Sequence, residues 1–101
     1  MWQVQLSDSA VADLDEIYRW QAQPGAGMAA VRRLRAIGAA LRRLRRAPYL
    51  YQIGERPGTR EATAGGHRIV YRISPDTGSN TTAGDVLVLR VFGPGQRRDE
   101  P

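Results

Sequence analysis

Two runs of alternating residues, 67–73 and 86–92, constrain the fold more than any other feature of this chain. Both runs place β-branched or aromatic residues at every second position, which is typical of half-buried strands. The pair Gly65-Gly66 stands between the first run and the segment 60–64. A two-residue hairpin turn requires positive φ, which glycine adopts without strain. The pattern therefore predicts three consecutive strands over residues 60–92.

The same alternation divides each run between two faces. One face holds Ile69, Tyr71 and Ile73 of the first run with Leu87, Leu89 and Val91 of the second, and the other face holds Arg68, Val70, Arg72, Val88, Arg90 and Phe92. We therefore expect an antiparallel sheet with one apolar face, in which Tyr71 belongs to the core, and one face rich in arginine. Because an antiparallel sheet can leave one side in water, helices should cover the apolar side.

The first half of the chain predicts a strand and two helices. Trp2, Val4 and Leu6 alternate with glutamines, which indicates a short strand. An apolar stripe then predicts a helix over residues 8–23, with Ser7 or Ser9 as its N-cap. Pro24-Gly25 ends that helix, and a second stripe predicts another over residues 26–46. The predicted fold is α+β with the order β-α-α-β-β-β, in which a helical hairpin packs on one face of a small antiparallel sheet.

The second predicted helix is unusually basic. Its arginines are Arg32, Arg33, Arg35, Arg42, Arg43, Arg45 and Arg46, and the helix contains no acidic residue. The first helix is acidic, so we expect it to lie beside the second and to offset part of the repulsion between the arginines. Two interpretations of the basic surface stay open: a solvated helix face, or a surface for nucleic acid or an acidic partner.

Composition excludes several classes of function. The 101 residues fit a single domain, and the absence of cysteine removes disulfides, cysteine zinc sites and thiol catalysis. With one histidine we expect no metal site, and nothing indicates a cofactor. No apolar run is long enough to span a bilayer, and the N-terminus lacks a signal-peptide pattern, so we expect a cytoplasmic protein. The net charge is +5, with 15 arginines against 10 acidic residues, and it favours anionic partners.

The arginine face carries the one constellation that suggests chemistry. Arg68, Arg72 and Arg90 share it, His67 stands at its entry, and Arg60, Arg97 and Arg98 lie at its ends. A metal-free ribonuclease could use such a set, with arginine stabilising the phosphorane charge and histidine moving protons. The alternative is that surface arginines keep an open sheet soluble and discourage edge pairing, while His67 is structural.

Taken in order, these motifs resemble the ParE/RelE superfamily of small bacterial toxins. The residues that carry the resemblance are Leu6-Ser7, Ala10, Asp13-Leu14, Ile17-Tyr18, Leu41, Leu44, Pro48, Pro57-Gly58-Thr59-Arg60-Glu61, Gly66-His67-Arg68-Ile69-Val70-Tyr71-Arg72 and Val88-Leu89-Arg90-Val91-Phe92. The resemblance covers nearly the whole chain. It implies a type II toxin–antitoxin pair, with an antitoxin that wraps the toxin and covers basic residues, and a higher-order toxin–antitoxin complex.

The resemblance leaves three functions open. ParE-like members poison DNA gyrase without being enzymes, and a long helical hairpin with no tyrosine after Phe92 favours this group. RelE-like members cleave messenger RNA on the ribosome. The resemblance places Arg68 where they carry a functional arginine, and Arg97 or Arg98 matches a second. For such an activity we expect Arg68, His67 and Arg90 as catalytic residues, with His67 as the proton-transfer group. The third possibility is a non-toxic relic that only binds an antitoxin. Arg60, Arg72, Arg97 and Arg98 are the expected contacts to the target or to nucleic acid, and residues 95–101 are expected to form a flexible tail.

Overall fold

The hairpin around Gly65-Gly66 forms as the sequence predicts, and both glycines have positive φ, 57° and 78°. The computed structural model describes residues 3–21, 23–81 and 83–93. Its elements are β1 (Val4–Leu6), α1 (Asp8–Gln21), α2 (Gly27–Leu44), β2 (Gln52–Ile53), β3 (Arg60–Ala64), β4 (His67–Ser74) and β5 (Asp85–Phe92). The expectations for Trp2 and for residues 95–101 lie outside the described residues.

The first helix starts at the predicted residue and the second starts one residue later, and both end earlier than predicted. Ser7 caps α1: its Oγ accepts from the Ala10 N–H at 3.0 Å, and its carbonyl accepts from the Val11 N–H at 3.0 Å. The helices end at Gln21 and Leu44 rather than at residues 23 and 46. Among the described residues no ion pair joins the two helices, and Asp13 and Asp15 take other partners.

The sheet is mixed rather than purely antiparallel. Its strand order is β1-β5-β4-β3-β2, and β1 pairs parallel with β5. The remaining pairs are antiparallel, and β2 is a two-residue strand that the sequence pattern did not predict. The last strand in the sequence, β5, therefore lies between β1 and the β3–β4 hairpin.

A β-bulge in β5 makes several of its side chains face the side of the sheet opposite to the one predicted. Val70 pairs with Arg90, but its neighbour Tyr71 pairs with Val88, so Leu89 has no partner in β4. A bulge residue shifts the alternation by one position. As a result Val91 faces the core together with Val86 and Val88, and the prediction that Leu87 and Leu89 share the core face was wrong.

The helices cover the apolar face of the sheet, as expected. The buried core comprises Ala10, Ile17, Ile37, Ala40, Leu44, Ala62, Ala64, Ile69, Tyr71, Ile73, Val86, Val88 and Val91. It is mostly aliphatic, and Tyr71 is its only aromatic member among the described residues. The helical hairpin and the sheet thus form two layers, with a second sheet face that no described helix covers.

Tyr71 is fully buried in this core and tied to the chain that leaves α2. Its hydroxyl donates to the Pro48 carbonyl, and its ring makes an edge-to-face contact with Tyr51 at a centroid distance of 6.5 Å. Burial raises the pKa of the Tyr71 hydroxyl well above that of a free tyrosine. The folded protein therefore keeps Tyr71 protonated at pH values where an unfolded chain would ionise it.

This difference predicts an alkaline loss of stability. Lysine and cysteine are absent, so tyrosines are the side chains that titrate near pH 10. Above about pH 10 the unfolded state releases the Tyr71 proton and the folded state does not, so the free energy of unfolding should fall by about 1.4 kcal/mol per pH unit. Urea unfolding between pH 8 and pH 12 measures this, and Tyr71→Phe should flatten the fall. An equally steep fall in that variant would contradict the assignment.

Candidate functional site

The candidate site is the sheet face opposite the helices, which we call the open face. It carries Glu61 of β3, Arg68, Val70 and Arg72 of β4, and Leu87, Arg90 and Phe92 of β5. Val70 and Phe92 are only 8% and 3% exposed, and both face residues of the loop before β3. A cavity of about 130 Å³ lies under this loop, lined by Glu55, Arg56, Thr59, Glu61, Val70, Leu89, Arg90 and Phe92. The open face is therefore a shallow apolar floor with arginines around it.

Arg68 is held by an acid on the neighbouring strand. Its Nη1 lies 3.5 Å from Glu61 Oε1, and Glu61 also accepts from the Glu55 N–H at 3.0 Å. The Glu61 side chain is 4% exposed and that of Arg68 is 37% exposed. The guanidinium can therefore still reach a partner, although Glu61 offsets part of its charge. Sequence reasoning named Glu61 only within the motif 57–61 and assigned it no role, but the two-residue turn fixes the hairpin register that places it opposite Val70.

Arg90 turns from the open face toward α1. Its Nε and Nη2 donate to the two carboxylate oxygens of Asp13 at 2.8 and 3.0 Å, and its guanidinium lies 4.8 Å from the Phe92 ring centroid. Asp13 Oδ2 also accepts from the Val91 N–H at 2.8 Å, on the edge of β5 beyond the end of β1. Arg90 thus fastens a helix to a strand, a role for which the sequence offered no local signal at a separation of 77 residues.

His67 lies on the opposite face from these arginines. It is 2% exposed, and its Nδ1 donates to the Gly65 carbonyl at 3.0 Å. It lines a cavity of about 380 Å³ between α1 and the ends of β4 and β5, with Asp13, Glu16, Ile17, Trp20, Gln21, Val91 and Gly93. Neighbouring residues of a strand point to opposite sides of its sheet, so His67 and Arg68 do not converge.

The remaining predicted residues do not gather at one place either. Arg60 lies on the helix-covered side, where its guanidinium stacks 4.6 Å from the Tyr49 ring centroid and donates to the Tyr51 carbonyl at 2.9 Å. Arg72 is exposed on the open face, opposite Leu87. Arg97 and Arg98 lie outside the described residues. Of the five predicted site residues that the structure describes, Arg68, Arg72 and Arg90 belong to the open face.

The chemistry that this face offers is anion binding. Arg68 and Arg72 supply positive charge, whereas the two β4 residues able to transfer protons, His67 and Tyr71, face the helices. Tyr71 is also a poor proton donor, because its hydroxyl is bonded to the Pro48 carbonyl and its pKa is raised by burial. Within residues 3–21, 23–81 and 83–93, no group of three acidic, histidine or cysteine side chains could hold a metal ion. The described helices are all too short or too polar to cross a membrane.

One family model and several solved structures match this chain. A family model described as the ParE toxin of the type II toxin–antitoxin system parDE matches residues 4–97. The chromosomal ParDE toxin–antitoxin system of P. aeruginosa superimposes with a TM-score of 0.68 at 19% identity, covering 93% of this chain and 97% of that one. The toxin–antitoxin complex RelBE2 of Mycobacterium tuberculosis superimposes with a TM-score of 0.55 at 27% identity, covering 91% and 96%. No curated protein sequence matches significantly.

Proposed function

Since this chain belongs to the ParE family of toxins of type II toxin–antitoxin systems, we propose that it arrests growth by inhibiting DNA gyrase without catalysing a reaction. Inhibition of this kind requires a surface that docks on the target, and it requires no proton-transfer group. The open face fits that requirement, because Arg68 and Arg72 are accessible on it.

The separation of His67 from the arginines is the observation that carries the proposal. A metal-free ribonuclease needs a proton-transfer group within hydrogen-bond reach of the group that it attacks, near the arginines that stabilise the phosphorane. Here Arg68 and His67 point to opposite sides of β4, and carboxylates hold Arg68 and Arg90. This arrangement supports docking over RNA cleavage.

A cognate antitoxin is the second part of the proposal. The solved relatives are named as toxin–antitoxin systems or complexes. In this chain the helical hairpin exposes apolar side chains that a partner would bury: Val11, Tyr18, Trp20 and Met28 are each more than half exposed. Exposed apolar groups mark an interaction surface where they form one patch, and Val11 and Tyr18 lie two turns apart on the same side of α1. An antitoxin on this hairpin and over the basic residues would neutralise the toxin by covering its surface.

A comparison of two arginine variants tests the docking mechanism. Arg68→Ala should raise the concentration needed to inhibit purified gyrase by about twofold or less, because one partly exposed charge contributes little to a distributed interface. The matched control is Arg19→Ala, an exposed helix arginine paired with Asp15 at 2.9 Å. Supercoiling inhibition and antitoxin binding are measured for both variants and for the unmodified chain.

The same assays identify the competing function. If Arg68→Ala abolished growth arrest while leaving folding and antitoxin binding intact, a catalytic arginine and ribosome-dependent RNA cleavage would replace the docking model. Pulse-labelling of induced cells gives a second criterion. DNA synthesis should stop before protein synthesis, and the reverse order with cut messages would contradict gyrase as the target. Normal growth after expression without an antitoxin would instead indicate a relic.

A further inference from the structure

The outer surface of α2 carries a row of arginines that the proposed inhibition of gyrase does not use. Seven arginines lie between residues 32 and 46, and Arg45 and Arg46 belong to the turn that continues α2, where the Ala47 N–H donates to the Arg43 carbonyl at 2.8 Å. At 100° per residue, five of these seven fall within an arc of about 100° on the side opposite Ile37 and Leu44, which face the core. We call these five the arginine stripe: Arg32, Arg35, Arg42, Arg43 and Arg46. At a rise of 1.5 Å per residue the stripe is about 21 Å long.

No part of the described chain neutralises this stripe. All five arginines are exposed, and none of them forms an ion pair with a described residue. Two of the four acids of α1 pair with other arginines, Asp15 with Arg19 and Asp13 with Arg90. Like charges three or four positions apart on a helix repel each other and destabilise it. A polyanion bound along the stripe would remove this repulsion.

We propose that the arginine stripe docks along the phosphate backbone of duplex DNA. Guanidinium groups bind phosphate oxygens bidentately, and duplex DNA presents one negative charge for about every 1.7 Å of its axis. The α2 segment contains no aromatic residue, whereas surfaces for single strands rely on aromatic stacking. The choice of DNA over duplex RNA rests on the proposed function, because gyrase acts on DNA. Toxin bound through the stripe would be concentrated on the substrate of its target.

Salt-dependent binding of the purified chain to a short fluorescent DNA duplex tests this inference. Five phosphate contacts predict a slope of log K against log salt of about −4.5. The double variant R35Q/R46Q should make that slope shallower by about 1.8, and it should bind more weakly at every salt concentration. The control R19Q/R33Q removes the same net charge from exposed positions outside the stripe and should leave the slope near that of the unmodified chain. Thermal melting confirms that all three proteins are folded.

Three results would overturn the assignment: equal weakening in the control variant, a slope shallower than about −2 for the unmodified chain, or tighter binding to duplex RNA or polyglutamate than to DNA. Gyrase inhibition is measured in parallel to separate the two proposals. A chain that inhibits gyrase without binding free DNA would refute the stripe and leave the proposed function intact. A chain that binds DNA through the stripe without inhibiting gyrase would support the stripe and refute the proposed function.

Discussion

Replacing Asp13 by alanine is expected to lower the free energy of unfolding by about 2–4 kcal/mol, the largest effect of any single substitution considered for this fold. The Asp13 carboxylate accepts from the Arg90 guanidinium at two points and from the Val91 N–H. The side chains of Asp13 and Arg90 are only 13% and 21% exposed, so water cannot fully replace the lost bonds. Urea unfolding followed by circular dichroism measures the change.

Asp15→Ala is the matched control for this prediction. Asp15 lies two positions along the same helix and pairs with Arg19, but its side chain is 59% exposed. An exposed i,i+4 pair contributes about 0.3–0.5 kcal/mol, so its loss should be barely measurable. Similar effects of the two substitutions would mean that Asp13 acts only as a helix surface residue. The double variant D13A/R90A should be less destabilised than the sum of its single variants, since the pair is lost together.

Gly65→Ala is expected to cost about 2–3 kcal/mol, for two separable reasons. The φ of Gly65 is +57°, a region in which alanine is strained. A Cβ at this position would also lie 3.0 Å from both Cα and the carbonyl oxygen of Arg33, which are backbone atoms of α2 and cannot swing away. The turn between β3 and β4 thus packs against the helix so closely that only glycine fits.

The control for this substitution is Gly58→Ala, which measures the cost of backbone strain without a steric clash. Gly58 has a φ of +77°, and no atom would lie within 4 Å of an added Cβ. Its replacement should therefore cost about 1 kcal/mol, the strain of the left-handed conformation alone. Chemical denaturation of both variants gives the comparison. Equal losses would show that the helix moves away from the turn and that the close approach is unimportant.

The parts of the fold that the sequence predicted are those encoded by local patterns. The hairpin follows from Gly65-Gly66 and from the alternation beside it, and the two helices follow from apolar stripes, a serine cap and Pro24-Gly25. The position of Tyr71 in the core follows from its spacing of two residues from Ile69 and from Ile73, which places all three on one face of the strand. Each of these depends on residues close together in the chain, and all were confirmed by the structure.

What sequence reasoning missed depends on contacts between distant segments. No glycine in the sequence of β5 indicates the bulge at Leu89. Because of this bulge, the assignment of Leu87 and Leu89 to the core face was wrong. The Asp13–Arg90 bond joins residues whose types are common on any surface. The candidate site was predicted only in part for the same reason: alternation placed Arg68 and Arg72 on one face, but it could not show that Glu61 holds Arg68.

The position of β5 has a consequence for how the protein is made. This strand is the last element of the described chain, yet it separates β1 from β4, and its pairing with β1 joins residues 82 positions apart. A ribosome releases the chain from its N-terminus, so β1 and α1 emerge long before the strand on which they must pack. The helical hairpin therefore has no complete sheet to cover until residues 85–92 appear. Synthesis itself delays the moment at which a toxin of this topology becomes folded, and a truncated product that lacked β5 would lose the strand that joins the two halves of the sheet.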